Sequence, residues 1–167
     1  MVTPNYKVEP GAKIYPNCTI GEGSIIGANA VLRPYTSIGR NSIFGTLSCS
    51  EGHNHIGDYT TIHAQCHITS GVHIGDNVFI APFFIASNTP VITEGKHGTE
   101  PTEHKIKRTF IDDNVRIGTS VRMIPGLIIG HHALIMQDTL LTHDVEPYAI
   151  VKGGKDKVGR VIGWTNK

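Results

Sequence analysis

Ten of the 167 residues are histidines, at separations as short as two (His53, His55), four (His63, His67), six (His67, His73) and one (His131, His132). A neutral imidazole with its ordinary pKa of about 6.5 accepts a proton at physiological pH, so any of these can serve as a general base. Three imidazoles meeting at one point would instead bind zinc and lower the pKa of a bound water to about 7. His97 lies in Glu94-Gly95-Lys96-His97-Gly98, where glycines let it reach outward. Lys105, Lys107, Arg108, Lys152, Lys155, Lys157 and Arg160 are cations suited to phosphates, as point charges or guanidinium forks. Each of these residues also has a plain alternative, a solvated polar side chain on an outer face.

The elements that position them follow from a sixfold periodicity. From Val8 through Ile14, Ile20, Ile26, Leu32 and onward to Ile80 and Ala86, an apolar or small residue returns at every sixth position. A second ladder, Ala12, Cys18, Ser24, Ala30, Thr36 and onward to Val72 and Val78, holds small or β-branched residues. Two inward positions per six residues fit neither a helix nor a long strand; they fit short strands joined by turns, repeated along the chain. Three units closing a triangle place residue i under residue i+18 in parallel register, giving an all-β solenoid, a β-helix. Glycines after the ladder residues, such as Gly21, Gly39 and Gly57, and the Asn and Asp beside them are expected at corners with positive φ.

That coil places the histidines. His55 and His73, 18 apart, stack on one outer edge, and Gly52, Ser70 and Asn88 stack likewise, as do His53, Gly71 and Thr89. His53, His55, His73 and Asn88 therefore share the corner where the repeat is interrupted, whereas His63 and His67 flank the preceding corner. The interruption, a proline-, glycine- and charge-rich stretch within 88–110, reads as a long loop. The ladder restarts at Ile111 and runs through Ile117, Met123, Ile129, Ile135 and Leu141, and residues 147–167 read as a terminal strand or short helix capping the coil.

Composition narrows the function. A length of 167 residues with no domain boundary in the ladder suits a single domain, 1–167. Fifteen Lys and Arg against fourteen Asp and Glu give a formal charge of +1, with no basic field for nucleic acid. No apolar run of about 18–20 residues is present and Met1–Lys7 has no signal-peptide core, so a soluble cytoplasmic protein with no membrane partner is expected. Three cysteines, Cys18 and Cys66 on the inward ladder and Cys49 beside it, read as reduced packing thiols.

The Ile-Gly-x-x-small-x units, the one extruded loop and the ending Gln137–Val151 resemble the hexapeptide-repeat acyltransferases. Within that superfamily, Ile62-His63-Ala64-Gln65-Cys66-His67-Ile68 followed by Phe84-Ile85-Ala86-Ser87-Asn88 is similar to N-acetyltransferases of nucleotide-linked amino sugars. The resemblance implies a left-handed β-helix, a homotrimer, and acetyl-CoA in the groove between subunits, with no metal. It implies His63 or His67 as base or sugar anchor and Asn88 orienting the sugar, with His55 and His73 beside it as candidate substrate contacts. His97 corresponds to the loop base of sugar O-acetyltransferases of the same fold, an alternative activity. Gly118 and Thr119 form a small corner where a pantetheine arm can pass, and Lys152 and Arg160 are candidates for coenzyme phosphates. Two departures stand out: Gly153-Gly154-Lys155-Asp156 replaces the family's Gly-Asn-Pro-Ala turn, and Met136 replaces a small residue. A γ-class carbonic anhydrase, the zinc enzyme of this fold, needs a histidine pair five residues apart, and Arg33-Pro34-Tyr35 stands where that family has Arg-x-Asp. A catalytically silent scaffold is the third reading.

Overall fold

The computed structural model describes residues 5–90 and 106–165. Its chain winds as a left-handed parallel β-helix of about seven turns. Among the described residues, strands mostly of two residues form sheets of nine, seven and six strands. Sheet I runs from Lys7–Val8 to Gly159–Trp164, sheet II from Lys13–Ile14 to Leu140–Leu141, and sheet III from Thr19–Ile20 to Ile128–Ile129. The 18-residue register appears as Lys7↔Ile25, Lys13↔Val31 and Thr19↔Ser37.

Both ladders point inward. Ile26, Leu32, Phe44, Ile62, Ile68, Ile74, Ile80 and Ile117 are buried on one, and Ser24, Ala30, Thr36, Thr60, Cys66 and Val78 on the other. The small hydroxyl-bearing residues fit because they serve the next coil: Ser42 Oγ donates to Gly57 O and accepts from the Thr60 amide. Such pairing removes the cost of burying a polar atom in a narrow aliphatic core. The buried cysteine belongs to the same ladder, and all three cysteines are free thiols.

The corners revise one expectation. The positive-φ residues recur every sixth position, but they include Tyr35, Leu47, His53, Tyr59, Gln65 and Phe83, with φ from 52° to 65°. The glycines after the ladder residues are not in that region; they are needed for close approach. A Cβ on Gly45 would lie 2.4 Å from the His63 carbonyl carbon of the next coil. Coil geometry thus imposes the left-handed conformation on whatever residue falls there, at a cost of order 1 kcal/mol or more for each non-glycine.

The interruption does not shift the register. Thr109–Ile111 pairs with Val72–Ile74, so Phe110 belongs to sheet III rather than to the loop. Lys107 N–H donates to Asn88 O at 3.0 Å, closing the excursion at its base. The C-terminal cap is an antiparallel hairpin, Ala149–Gly153 against Gly159–Trp164, which ends sheet I. Among the described residues no helix is long and apolar enough to cross a membrane.

Candidate functional site

The outward positions of each sheet form columns, and the candidate residues fall on three of them. Outward from sheet II stand Lys13, Val31, Cys49, His67, Ile85, Arg122 and Leu140 in register. His67 Nε2 lies 2.9 Å from Glu51 Oε1, and Glu51 sits two residues beyond the His67 partner Cys49. A carboxylate accepts only, so in the neutral ring Nε2 carries the proton and Nδ1 is left with its lone pair. Burial pushes the Cys49 thiol up, helped by Glu51 and opposed by Arg33, which keeps it protonated beside this pair.

His63 occupies the edge between sheets I and II and meets the Phe79 ring edge-on at 5.0 Å. Backbone bonds from each residue to the coil above it define that edge as Gly45, His63, Ala81, Gly118, Met136 and Lys152. At about 4.8 Å per coil, Gly118 stands roughly 10 Å from His63, and Lys152 as far again. Gly118 is required by packing, since a Cβ there would lie 2.5 Å from Gln137 N. The carbonyl of the neighbouring Thr119 accepts from Asp138 N–H at 2.8 Å. Lys152 is exposed opposite Arg160 in the hairpin. Arg160 forks onto Asp156 at 2.6 and 3.0 Å, an exposed pair that lowers the Asp156 carboxyl to about 2. Lys157 pairs with Asp138 beside the same edge.

A second cluster lies on sheet III and its corner with sheet II. His55 and His73 stack with ring centroids 4.6 Å apart and planes at 20°, and Phe110 follows at 6.0 Å. Ser37 Oγ is 2.9 Å from His55 Nδ1, and His53 stacks on Tyr35 at 4.8 Å. Burial, and then the neighbouring His55, hold His73 below the usual imidazole value; Asp113, Asp112 and Asp76 oppose this. Between these ring columns is a cleft of about 320 Å³, whose lining includes Arg108 from the returning chain. Its floor is rigid: buried Asn54 donates to Ser50 Oγ and accepts from Val72 N–H, both at 2.8 Å.

Asn88 stands above this corner with its amide engaged in the fold. Nδ2 donates to Ser70 O at 3.0 Å and Oδ1 accepts from the Thr89 hydroxyl at 3.1 Å. The structure therefore joins His55 with His73 and His67 with Glu51, and puts His63 on the edge that carries Gly118 and Lys152. Within one chain it sets the two histidine clusters on different faces. His97, with Lys105, lies outside the described residues.

Sequence reasoning missed Glu51, Tyr35 and Phe110. Glu51 and Tyr35 had a usable signal: Glu51 is 16 residues before His67, about one coil away, and Tyr35 is 18 before His53. It also gave no role to His131 and His132, which pack with Tyr148, His132 stacking at 4.9 Å. Among the described residues no group of three or more His, Cys, Asp or Glu is arranged to hold a metal ion.

A triangular coil with an outward histidine–carboxylate pair defines a class, and comparison with known proteins agrees. The bacterial transferase hexapeptide (six repeats) family matches residues 4–34 and 55–83, and the chain belongs to the hexapeptide-repeat family. It is 32% identical over 147 residues to galactoside O-acetyltransferase of Escherichia coli, covering 85% of this chain and 66% of that protein. It is 38% identical over 66 residues to UDP-3-O-acylglucosamine N-acyltransferase of Wolinella succinogenes, covering 40% of this chain and 21% of that protein. The fold matches the Vibrio cholerae hexapeptide-repeat acetyltransferase solved with acetyl coenzyme A, with a TM-score of 0.56 and 24% identity over 74% of this chain and 71% of that one. The chain spans about a fifth to a half of the length of the first curated relatives that it matches.

Proposed function

We propose that the protein is a soluble, cytoplasmic acetyl-CoA-dependent acyltransferase that N-acetylates a nucleotide-linked amino sugar. The observation that carries this reading is the outward His67–Glu51 pair, set in a hexapeptide repeat similar to named acyltransferases. Glu51 holds the proton of His67 on Nε2, so Nδ1 takes the proton of the acceptor amine as its nitrogen attacks the thioester carbonyl carbon. The carbon–sulfur bond then breaks, the electron pair leaves with sulfur, and the proton passes from Nδ1 to the thiolate. Glu51 stabilises the imidazolium that forms in between.

His63 flanks the same corner as a second base or sugar anchor, and His97 is the corresponding candidate from the loop. Asn88, His55 and His73 contact the acceptor. The edge through Gly118 and Thr119 suits an extended pantetheine arm because its small residues leave it shallow. It ends at Lys152, an exposed cation for coenzyme phosphates, with Arg160 and its Asp156 partner alongside. Met136, 37% exposed on that edge, narrows the path. The reading includes a homotrimer with the coenzyme in the groove between subunits.

The test is release of free thiol from acetyl-CoA with a panel of nucleotide-linked amino sugars, free amino sugars and simple galactosides. Turnover confined to the nucleotide-linked amines is expected. The broad similarity to galactoside O-acetyltransferase favours a second reading, O-acetylation, in which the galactosides turn over instead. Thiol release at the uncatalysed rate with every acceptor overturns both.

A further inference from the structure

The cleft between the Tyr35–His53 stack and the His55–His73–Phe110 column has a composition that acyl transfer alone does not call for. Among the described residues its lining brings together three imidazoles, the Arg108 side chain and the Ser37 hydroxyl, and holds no carboxylate. Arg108 runs past Gly71, its Cγ 3.5 Å from where a Cβ would stand, an ordinary van der Waals contact. Gly71 has φ +85°, a conformation that glycine adopts without strain. The acidic residues that act on His73, Asp76, Asp112 and Asp113, lie outside the lining. His55 is bonded through Nδ1 to Ser37, which leaves its Nε2 available to a ligand.

A guanidinium gathered with three imidazoles, and no carboxylate among the described lining residues, suits an anion. Arg108 supplies a permanent charge and a planar fork, and the imidazoles add N–H donors. We infer that this cleft binds the phosphate or diphosphate of the acceptor, an inference that rests on the acyltransferase reading and assigns the acceptor's anionic part to sheet III. The ring columns then flank the phosphate, with Phe110 closing the coil above.

The experiment is calorimetric titration of the full chain with inorganic pyrophosphate, with and without saturating coenzyme A, for wild type, Arg108→Gln and His73→Phe. His73→Phe keeps a ring in the stack and removes its nitrogens. Pyrophosphate is expected to bind equally in the presence of coenzyme A, and each substitution to weaken it about tenfold or more, as befits loss of a charge-assisted hydrogen bond. Absence of binding, binding indifferent to both substitutions, or displacement by coenzyme A overturns the assignment. Thiol release by the same preparations separates the two ideas. Wild-type turnover without pyrophosphate binding sinks the anion site and leaves the acyltransferase standing, and the reverse result does the opposite.

Discussion

If Glu51 acts by fixing the tautomer of His67, removing it must cost activity only while His67 is present. The two side chains meet at 2.9 Å and are 38% and 44% exposed, so solvent screens them and the pair adds at most about 1 kcal/mol to folding stability. Its effect on turnover has two parts. The hydrogen bond to the carboxylate, screened by solvent to about 1 kcal/mol, biases the tautomers roughly fivefold towards the form with Nδ1 free. Stabilising the imidazolium in the transition state adds a screened charge–charge interaction of up to about 1 kcal/mol. Glu51→Ala should therefore lower kcat by between about fivefold and thirtyfold, while His67→Asn should lower it by about 10²–10⁴. In the double variant the Glu51 substitution should have no further effect. Thiol release under saturating substrates measures all four corners of this cycle, and thermal melts should differ by only a few degrees. An equal loss from Glu51→Ala with and without His67 would refute the positioning role, and full turnover by His67→Asn would move the base to His63 or His97.

Gly45→Ala should lower the melting temperature by several degrees, because its new Cβ would sit 2.4 Å from the His63 carbonyl carbon, and overpacking of this kind costs about 1–3 kcal/mol. An unchanged melt would mean that the coils separate freely there. Sedimentation at micromolar concentration should give a trimer, covering outward apolar residues such as Phe79, Ile85 and Ile128, whereas a monomer would remove the intersubunit site. His73, held below the ordinary imidazole value by burial and by His55, binds fewer protons folded than unfolded. Its contribution to stability is complete above the unfolded pKa of about 6.5 and is lost as pH falls through the depressed folded value, so His73→Phe should flatten the acid side of the melting-temperature profile.

The sixfold ladder made the fold legible, because each inward position repeats the same steric demand and a slip by one residue would expose the whole core. The 18-residue stacking of His55 on His73 followed from that ladder by arithmetic. So did the return of the chain at Ile111, since inward residues resume there, although the sequence assigned Phe110 to the loop and the structure puts it in the strand. The tertiary structure alone decided what depends on side-chain direction across coils. The Glu51–His67 contact joins residues 16 apart, off the register that pairs His67 with Cys49, so side-chain length rather than periodicity closes it. Arg108 lines the histidine cleft where the returning chain packs against Gly71, a contact that neither periodicity nor residue type announces. The corners make the same point. Local preference assigned positive φ to glycine and asparagine, but Tyr35, Leu47 and Phe83 adopt it as well, because coil closure at a fixed 18-residue pitch outweighs a local penalty of about 1–2 kcal/mol.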